Sequence, residues 1–367
     1  MPQTYATMAG EAFAEQLLRN YIATSCAREV TNQDYEGDLK RVGDVVHINN
    51  IQVGDWTQAS GDLAEFVSWN SLNEQPATMT ADQYYQLQFA VGDYARVVSW
   101  IKNPQSSALD DAGRKLKAKI DESVFGLYGD AAAGNWIGTS YTTGTVAVAA
   151  TTGAVTGTGT TFTADMVGRP FKAAGMTKWY RIKTYTSATS ITIEDDVDDV
   201  ASAYTGGAIS AGASYEIQAA TPLTVSSSNI WTTLLQVKTI FDKNNIPETD
   251  RAIVLPPEIT NMFADAQQID RARLSVDVMD RLKLKGYVGE YLGIKIYMSN
   301  NLTTDTAGNY YALAMHKGWC TMGMALDESE VCRIEKGHGY GYKSLALWGR
   351  KVPDVRRTSG ICLYVTT

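Results

Sequence analysis

Apolar positions change their period several times along this chain, and each change marks an element. Phe13, Leu17, Leu18, Tyr21 and Ile22 recur at spacings of three and four with Glu11, Glu15, Gln16, Arg19 and Asn20 between them, which predicts a short amphipathic helix. From Thr24 to Gly37 the pattern is irregular and polar, as expected of an extended arm. Gly43-Asp44 then supplies a turn, and Val45, Val46 and Ile48 a β-branched run that starts a strand. The stretch up to residue 75 is rich in Gly, Asp, Asn and Ser, yet it carries Trp56, Phe66 and Trp69. Two readings fit those aromatics: a satellite core under a long loop, or a protruding hairpin that a neighbouring chain must cover. Tyr85, Leu87, Phe89 and Val91 alternate with Tyr84, Gln86, Gln88 and Ala90, so a return strand is expected within Thr78 to Val91.

Helical spacing resumes after Pro104. Ser107-Ala108-Leu109-Asp110 offers a capping box, and Leu109, Ala112, Leu116, Ile120, Val124 and Leu127 mark one face of a helix to about Tyr128. Lys115, Lys117 and Lys119 lie off that stripe, as a solvated face would. Near Gly138 the composition turns abruptly to Thr, Ala and Gly, with strand-like runs at 145–148, 180–185 and 190–194. This region, to about Ile217, reads as a small all-β domain, a barrel or a sandwich. Beyond Ser226-Ser227-Ser228, Ile230, Leu234, Val237 and Phe241 form one stripe that stops at Asn244-Asn245 before Pro247. A buried strand, 252–255, ends at Pro256-Pro257, and Ile259, Met262 and Phe263 predict the inner face of a helix over 258–266. Alternating charges over 267–285, Arg271 and Arg273 among them, read as an exposed segment or as ion-paired contacts to a neighbour. Gly289 and Gly293 bracket a run into Ile294, Ile296 and Met298, the pattern of a half-buried strand.

A chain of 367 residues is long enough for two or three cores, and 44% hydrophobic with 20% charged residues is an ordinary globular balance. The net charge of −8 argues against gripping nucleic acid through its phosphates, so any DNA is enclosed rather than read. Cys26, Cys320, Cys332 and Cys362 show no CxxC pairing, and no basic-then-apolar leader precedes the first helix. The expectation is a cytosolic chain with no removed propeptide. No run approaches the roughly 20 apolar residues of a membrane-spanning helix, so no membrane partner is expected.

Chemistry is sparse. No phosphate-cradling glycine motif precedes a helix, and Gly337-His338-Gly339-Tyr340-Gly341 reads as a turn. His316, Cys320, Cys332 and His338 are donors of the right type for zinc, but their spacing matches no compact knuckle. We read the two cysteines as small buried residues and the histidines as turn residues, with no metal and no other cofactor. Asp195, Asp196, Asp198 and Asp199 lack the Gly and terminal Glu of a calcium loop and read as a solvated acidic turn. No GxSxG elbow presents a nucleophile, which disfavours an enzyme.

The order of parts resembles the major capsid protein of tailed phages, the Hong Kong 97-type fold, over roughly residues 1–135 and 225–367. The resemblance rests on Lys40-Arg41-Val42-Gly43-Asp44-Val45-Val46 opening the extended loop, and on Thr78-Met79-Thr80-Ala81-Asp82-Gln83 before the long helix. Asn245-Ile246-Pro247 and Arg251-Ala252-Ile253-Val254-Leu255-Pro256-Pro257-Glu258 follow the second helix in the same way. The block from Gly286 to Leu302, ending Ser299-Asn300-Asn301-Leu302, is its most specific part, and Lys343 to Val352 resembles the closing peripheral strand.

The resemblance implies an α+β chain in six parts. These are an N-terminal arm with a short helix (1–37), an extended hairpin loop and return strand (38–92), a spine helix with a peripheral segment (93–137), an inserted β-domain (138–218), a mainly axial domain (219–328) and closing peripheral strands (329–367). It further implies self-assembly as hexamers and pentamers into an icosahedral shell around double-stranded DNA, assembled in a host cytoplasm and ending in the virion. A portal and a decoration protein are implied partners. No long helical scaffold region is recognisable, so a separate scaffolding protein is expected. Phe13, Leu17, Trp56, Phe66, Trp69, Arg271 and Arg273 are the expected contacts between subunits. Two alternatives stay open: a bacterial nanocompartment shell on the same fold, and a carbohydrate-binding protein acting through residues 138–218, where Trp179 and Tyr180 adjoin.

Overall fold

The computed structural model describes residues 25–35, 43–48, 51–52, 73–74, 77–92, 104–195, 203–265, 287–334 and 338–366. The fold is mixed α+β and mostly strand.

At its centre is a seven-stranded sheet. Arg251–Leu255 runs parallel to Ile294–Met298 and antiparallel to Tyr310–His316, which in turn pairs with Gly360–Thr366. All five residues of Arg251–Leu255 are buried, because helices cover this part of the sheet and leave no solvent face for alternation to follow. The helix Ile230–Lys243 contributes Ile230, Leu234, Val237 and Phe241 to that core, as its spacing predicts, and Pro257–Asp265 contributes Ile259. Arg251 is itself buried. Its guanidinium donates to the carbonyls of Ile246 and Pro247 and to Asp242, which holds the turn after the helix against the sheet.

The hairpin Tyr287–Tyr291 and Ile294–Met298 turns through Leu292 and Gly293 at positive φ, the requirement of a two-residue hairpin turn that Gly meets without steric cost. Strict alternation fails here. Ile296 and Tyr297, on opposite faces, are both buried, whereas Met298 at the strand end is exposed.

A second, three-stranded sheet is formed by Gln83–Gly92, Gly339–Lys351 and Thr321–Arg333. The helix Pro104–Phe125 packs across it: Trp348 donates its indole N–H to Ser123 at 2.9 Å and stacks on Tyr85 at 5.0 Å. That helix starts at Pro104 rather than at the Ser107 box. Proline at a first helical position loses no bond there, which explains the earlier start. The helix gives way at Gly126 to a 3-10 turn through Asp130. Lys115 and Lys119 are exposed in ion pairs with Asp111 and Glu122, while Lys117 is half-buried.

Three further expectations need correction. Residues 24–37 hold a buried helix, Cys26–Val30, because Ser25 caps it and the central core receives Cys26, Ala27 and Val30. The single return strand is two: Ala77–Thr80 pairs with Val45–Ile48, and Gln83–Gly92 pairs with Gly339–Lys351, the chain changing sheets at Ala81-Asp82. Gly339 and Gly341 lie within a strand rather than a turn, since Gly339 pairs with Gly92 and Gly341 with Ala90. The pairing of 321–333 with 339–351 carries both into the three-stranded sheet, and 360–366 returns to the seven-stranded one.

The described residues of 139–221 form an eight-stranded, wholly antiparallel sheet with its own core of Val146, Val155, Phe171, Ile182, Ile191 and Ile217, among others. Its strands Thr145–Val148, Tyr180–Ser187 and Ser190–Asp195 lie where the sequence predicts them. Asp195 is buried rather than solvated: it takes bonds from Thr205 and from Lys178 at 2.9 Å. Burial of that carboxyl pulls its pKa upward, but the bonds from Thr205 and Lys178 hold it below the usual range. The chain enters and leaves this sheet through two short strands, Trp136–Ile137 and Leu223–Thr224, both parallel to Gly360–Thr366. The connections from the helix Pro104–Phe125 and to the helix Ile230–Lys243 therefore both pass through the seven-stranded sheet.

Candidate functional site

Two clusters of buried polar side chains hold these parts together. The first is built on Asp121, one turn before the end of the long helix and fully buried. Its carboxylate accepts from the Ala27 backbone N–H at 3.0 Å, from the Ser25 hydroxyl at 3.3 Å and from the Asn301 side-chain amide at 3.3 Å. Ser25 in turn accepts from the Arg28 N–H, the usual geometry of a helix N-cap. Asp121 thus joins the segment at Cys26–Val30, the long helix and the Ser299-Asn300-Asn301-Leu302 turn. Burial pushes its carboxyl up, only partly offset by the bonds it accepts. Five residues further on from the Ala27 bond, Asn32 bridges to Thr321 through bonds of 2.9 Å to Cys320 and Met322, so this N-proximal stretch is held at both ends.

The second cluster is built on Arg169, which enters from the eight-stranded sheet and is 2% exposed. Its Nε donates to the Asp165 carbonyl at 2.9 Å, one Nη to the Ala219 carbonyl and the other to the Tyr311 hydroxyl at 3.1 Å. The guanidinium lies 4.2 Å from the Tyr364 ring centroid, a desolvated cation–π contact. Tyr128, Tyr311 and Tyr364 stack in sequence at 4.2 and 4.8 Å, and Tyr364 donates its hydroxyl to Asp305. Burial raises the phenol pKa values of Tyr311 and Tyr364, so both remain protonated at neutral pH. Burial works against the Asp305 carboxylate, but the bonds it accepts from Tyr364, Asn309 and Ala307 hold its pKa low. A further link runs from Arg181 to the Gly129 carbonyl, and Gly134 N–H donates to Gln218 at 2.8 Å. Neither cluster pairs a nucleophile with a base. Both are clamps.

The structure separates the metal-type donors read from the sequence. His316 is half-buried at a turn, Cys320 is buried with its thiol pushed up to about 12 by burial, Cys332 is half-buried rather than buried, and His338 is exposed. Among the described residues no group of three or more His, Cys, Asp or Glu converges as a metal site would require. Tyr180 is buried in the eight-stranded sheet's core, and Trp179 is half-buried with the Lys172 ammonium 5.7 Å from its ring. Phe13, Leu17, Trp56, Phe66, Trp69, Arg271 and Arg273 lie outside the described residues.

Sequence reading missed both clamps. Asp121 left a faint signal, a carboxylate flanked by the stripe positions Ile120 and Val124. Arg169 left none.

No family model and no curated protein matches the chain. Solved structures do. A chain of Mycobacterium phage Che8 superposes with a TM-score of 0.51 at 16% identity, over 92% of this chain and 90% of that one. A chain in the capsid structure of the cyanophage P-SCSP1u gives 0.52 at 14%, over 92% and 87%. At these identities the likeness is one of fold, shared over 92% of this chain with a chain in a cyanophage capsid.

Proposed function

We propose that this chain is the major capsid protein of a tailed double-stranded DNA phage, a structural protein that assembles with copies of itself as hexamers and pentamers into an icosahedral shell. The observation that carries the proposal is the shared fold with the cyanophage capsid chain, which covers 92% of this sequence. The order of sequence motifs supports it independently. On this reading the three-stranded sheet and the helix Pro104–Phe125 form the peripheral domain and its spine, and the seven-stranded sheet forms the axial domain. The stretch around residues 43–75 is the extended loop that reaches a neighbour. Phe13, Leu17, Trp56, Phe66, Trp69, Arg271 and Arg273 make contacts between subunits. A separate scaffolding protein, a portal and a decoration protein are its partners, the DNA is held without sequence-specific contacts, and the shell forms in the host cytoplasm.

Electron microscopy of the purified chain, expressed with and without a candidate scaffolding protein, tests this. Closed icosahedral shells are expected. A chain that sediments as a monomer under every assembly condition would overturn the proposal, and shells that enclose a folded enzyme instead of DNA would move it to the nanocompartment reading.

We further propose that residues 138–218 are an insertion on the outer surface of the shell. Their separate core supports this, and so do an entry strand and an exit strand that pair with one and the same strand, Gly360–Thr366, so the two ends lie close together. Replacing residues 139–217 by a short Gly/Ser linker should leave a soluble chain that forms shells of lower thermal stability, since the Arg169 bonds go with it. Insoluble product, or a density map with this domain on the lumenal side, would show that it belongs to the assembly core.

A further inference from the structure

The seven-stranded and the three-stranded sheets are joined by two chain crossings that lie side by side. In one, Tyr310–His316 leaves the seven-stranded sheet and turns through Lys317 and Gly318 towards Thr321–Arg333 of the three-stranded sheet. In the other, Gly339–Lys351 leaves the three-stranded sheet and returns through the 3-10 turn Asp354–Ser359 to Gly360–Thr366. Arg356 ties them, donating from Nη1 to the Gly318 carbonyl at 3.2 Å.

The first crossing is a tight turn in which Trp319 N–H donates to the His316 carbonyl at 2.8 Å. Inside it, Gly318 N–H donates to His316 Nδ1 at 3.1 Å. An imidazole nitrogen that accepts a hydrogen bond carries no proton, so the neutral ring holds its proton on Nε2. The charged groups around this half-buried ring are Asp250, Arg251 and Arg356, with Lys295 bonded to Asp250 at 3.1 Å and Lys317 next in the chain.

We propose that His316 is an acid-sensitive latch on this double crossing. Protonation at Nδ1 puts a donor where an acceptor stood, facing the Gly318 N–H, and adds a cation beside Arg356. The turn then opens, and the Gly318 carbonyl leaves Arg356, uncoupling the two crossings. Burial holds the His316 titration below the ordinary histidine range; Asp250 opposes it, and Arg251 and Arg356 reinforce it. With the folded value below the unfolded one, the latch is fully closed above about pH 6.5 and its stabilisation is lost as pH falls from there through the folded value.

The chain has three histidines, His47, His316 and His338, so imidazole nitrogen NMR of the unassembled full-length chain can follow each one. The His316 signals, assigned by their loss in His316→Asn, should show the Nε2–H form at pH 7.5 and a midpoint below 6.5. Hydrogen exchange of the 317–320 amides, corrected for intrinsic rate, should lose roughly tenfold protection between pH 7.5 and 5, the effect of one net hydrogen bond. In His316→Asn the side-chain oxygen can take the Nδ1 position without titrating, and protection should stay level. An Nδ1–H tautomer, unchanged protection in the wild type, or an equal loss in His316→Asn would overturn the proposal. If that variant does not fold, the wild-type tautomer and the coincidence of its titration with the exchange step decide.

Discussion

Arg169→Ala should lower the unfolding free energy of the unassembled chain by about 3–5 kcal/mol, because it leaves buried acceptors unsatisfied and a cavity where the side chain stood. The substitution leaves the Ala219 carbonyl and the Tyr311 hydroxyl without their donor inside the protein, and it removes the cation from the face of Tyr364. Each unsatisfied buried group costs about 1–3 kcal/mol, so the polar loss alone reaches the lower end of that range before any cavity is counted. Arg169→Lys should recover little, because a single ammonium cannot serve three acceptors that lie in a guanidinium plane. Denaturant melts followed by tyrosine and tryptophan fluorescence would check this. A change under 1 kcal/mol for the alanine variant would mean that the eight-stranded sheet is held elsewhere. Because the clamp crosses between sheets, the melt should also lose cooperativity, with the eight-stranded sheet and the remainder separating into two transitions.

Asp121 should show the second large effect, and its direction depends on the replacement. Asp121→Ala strips the acceptor from the Ala27 N–H and the Asn301 amide in a fully buried place, and a loss of about 2–4 kcal/mol is expected. Asp121→Asn keeps an oxygen for Ala27, and Asn301 can turn its own amide to match, so a change within about 1 kcal/mol is expected. The pH dependence separates the two accounts. The folded pKa is raised above the ordinary value of about 3.9, so the native state holds more protons than the unfolded one between the two values. Stability therefore falls as pH rises through that window and is level above it. Subtracting the pH profile of Asp121→Asn from that of the wild type should leave this falling step. A flat difference would show that burial leaves this carboxyl's titration unshifted, and a rising one that the carboxylate is favoured where it sits; either overturns the expectation.

Local elements were legible because their causes are local. The strand Thr145–Val148 and the buried stripe of Ile230–Lys243 follow from period and composition within a few residues, and both lie where the sequence predicts them. The same local logic failed where burial came from elsewhere. Cys26–Val30 looks polar and irregular in the sequence, and it is a helix because the central core receives it and Asp121, 94 residues on, satisfies the Ala27 N–H in its first turn. The break at Ala81-Asp82 is invisible in an alternating run, since it exists only because the strands on either side pair with different partners.

The sequence by itself determined those elements whose period is local and the compositional break near Gly138, all properties of short windows. Only the tertiary structure decided how the parts are fastened. Arg169 reaches Tyr311 across 142 residues, and Asp121 meets Asn301 across 180. A lone charged residue in a window carries no mark of a partner so far away. Burial, which turns such a contact from a weak surface pair into a clamp, is a property of the assembled fold and not of any segment within it.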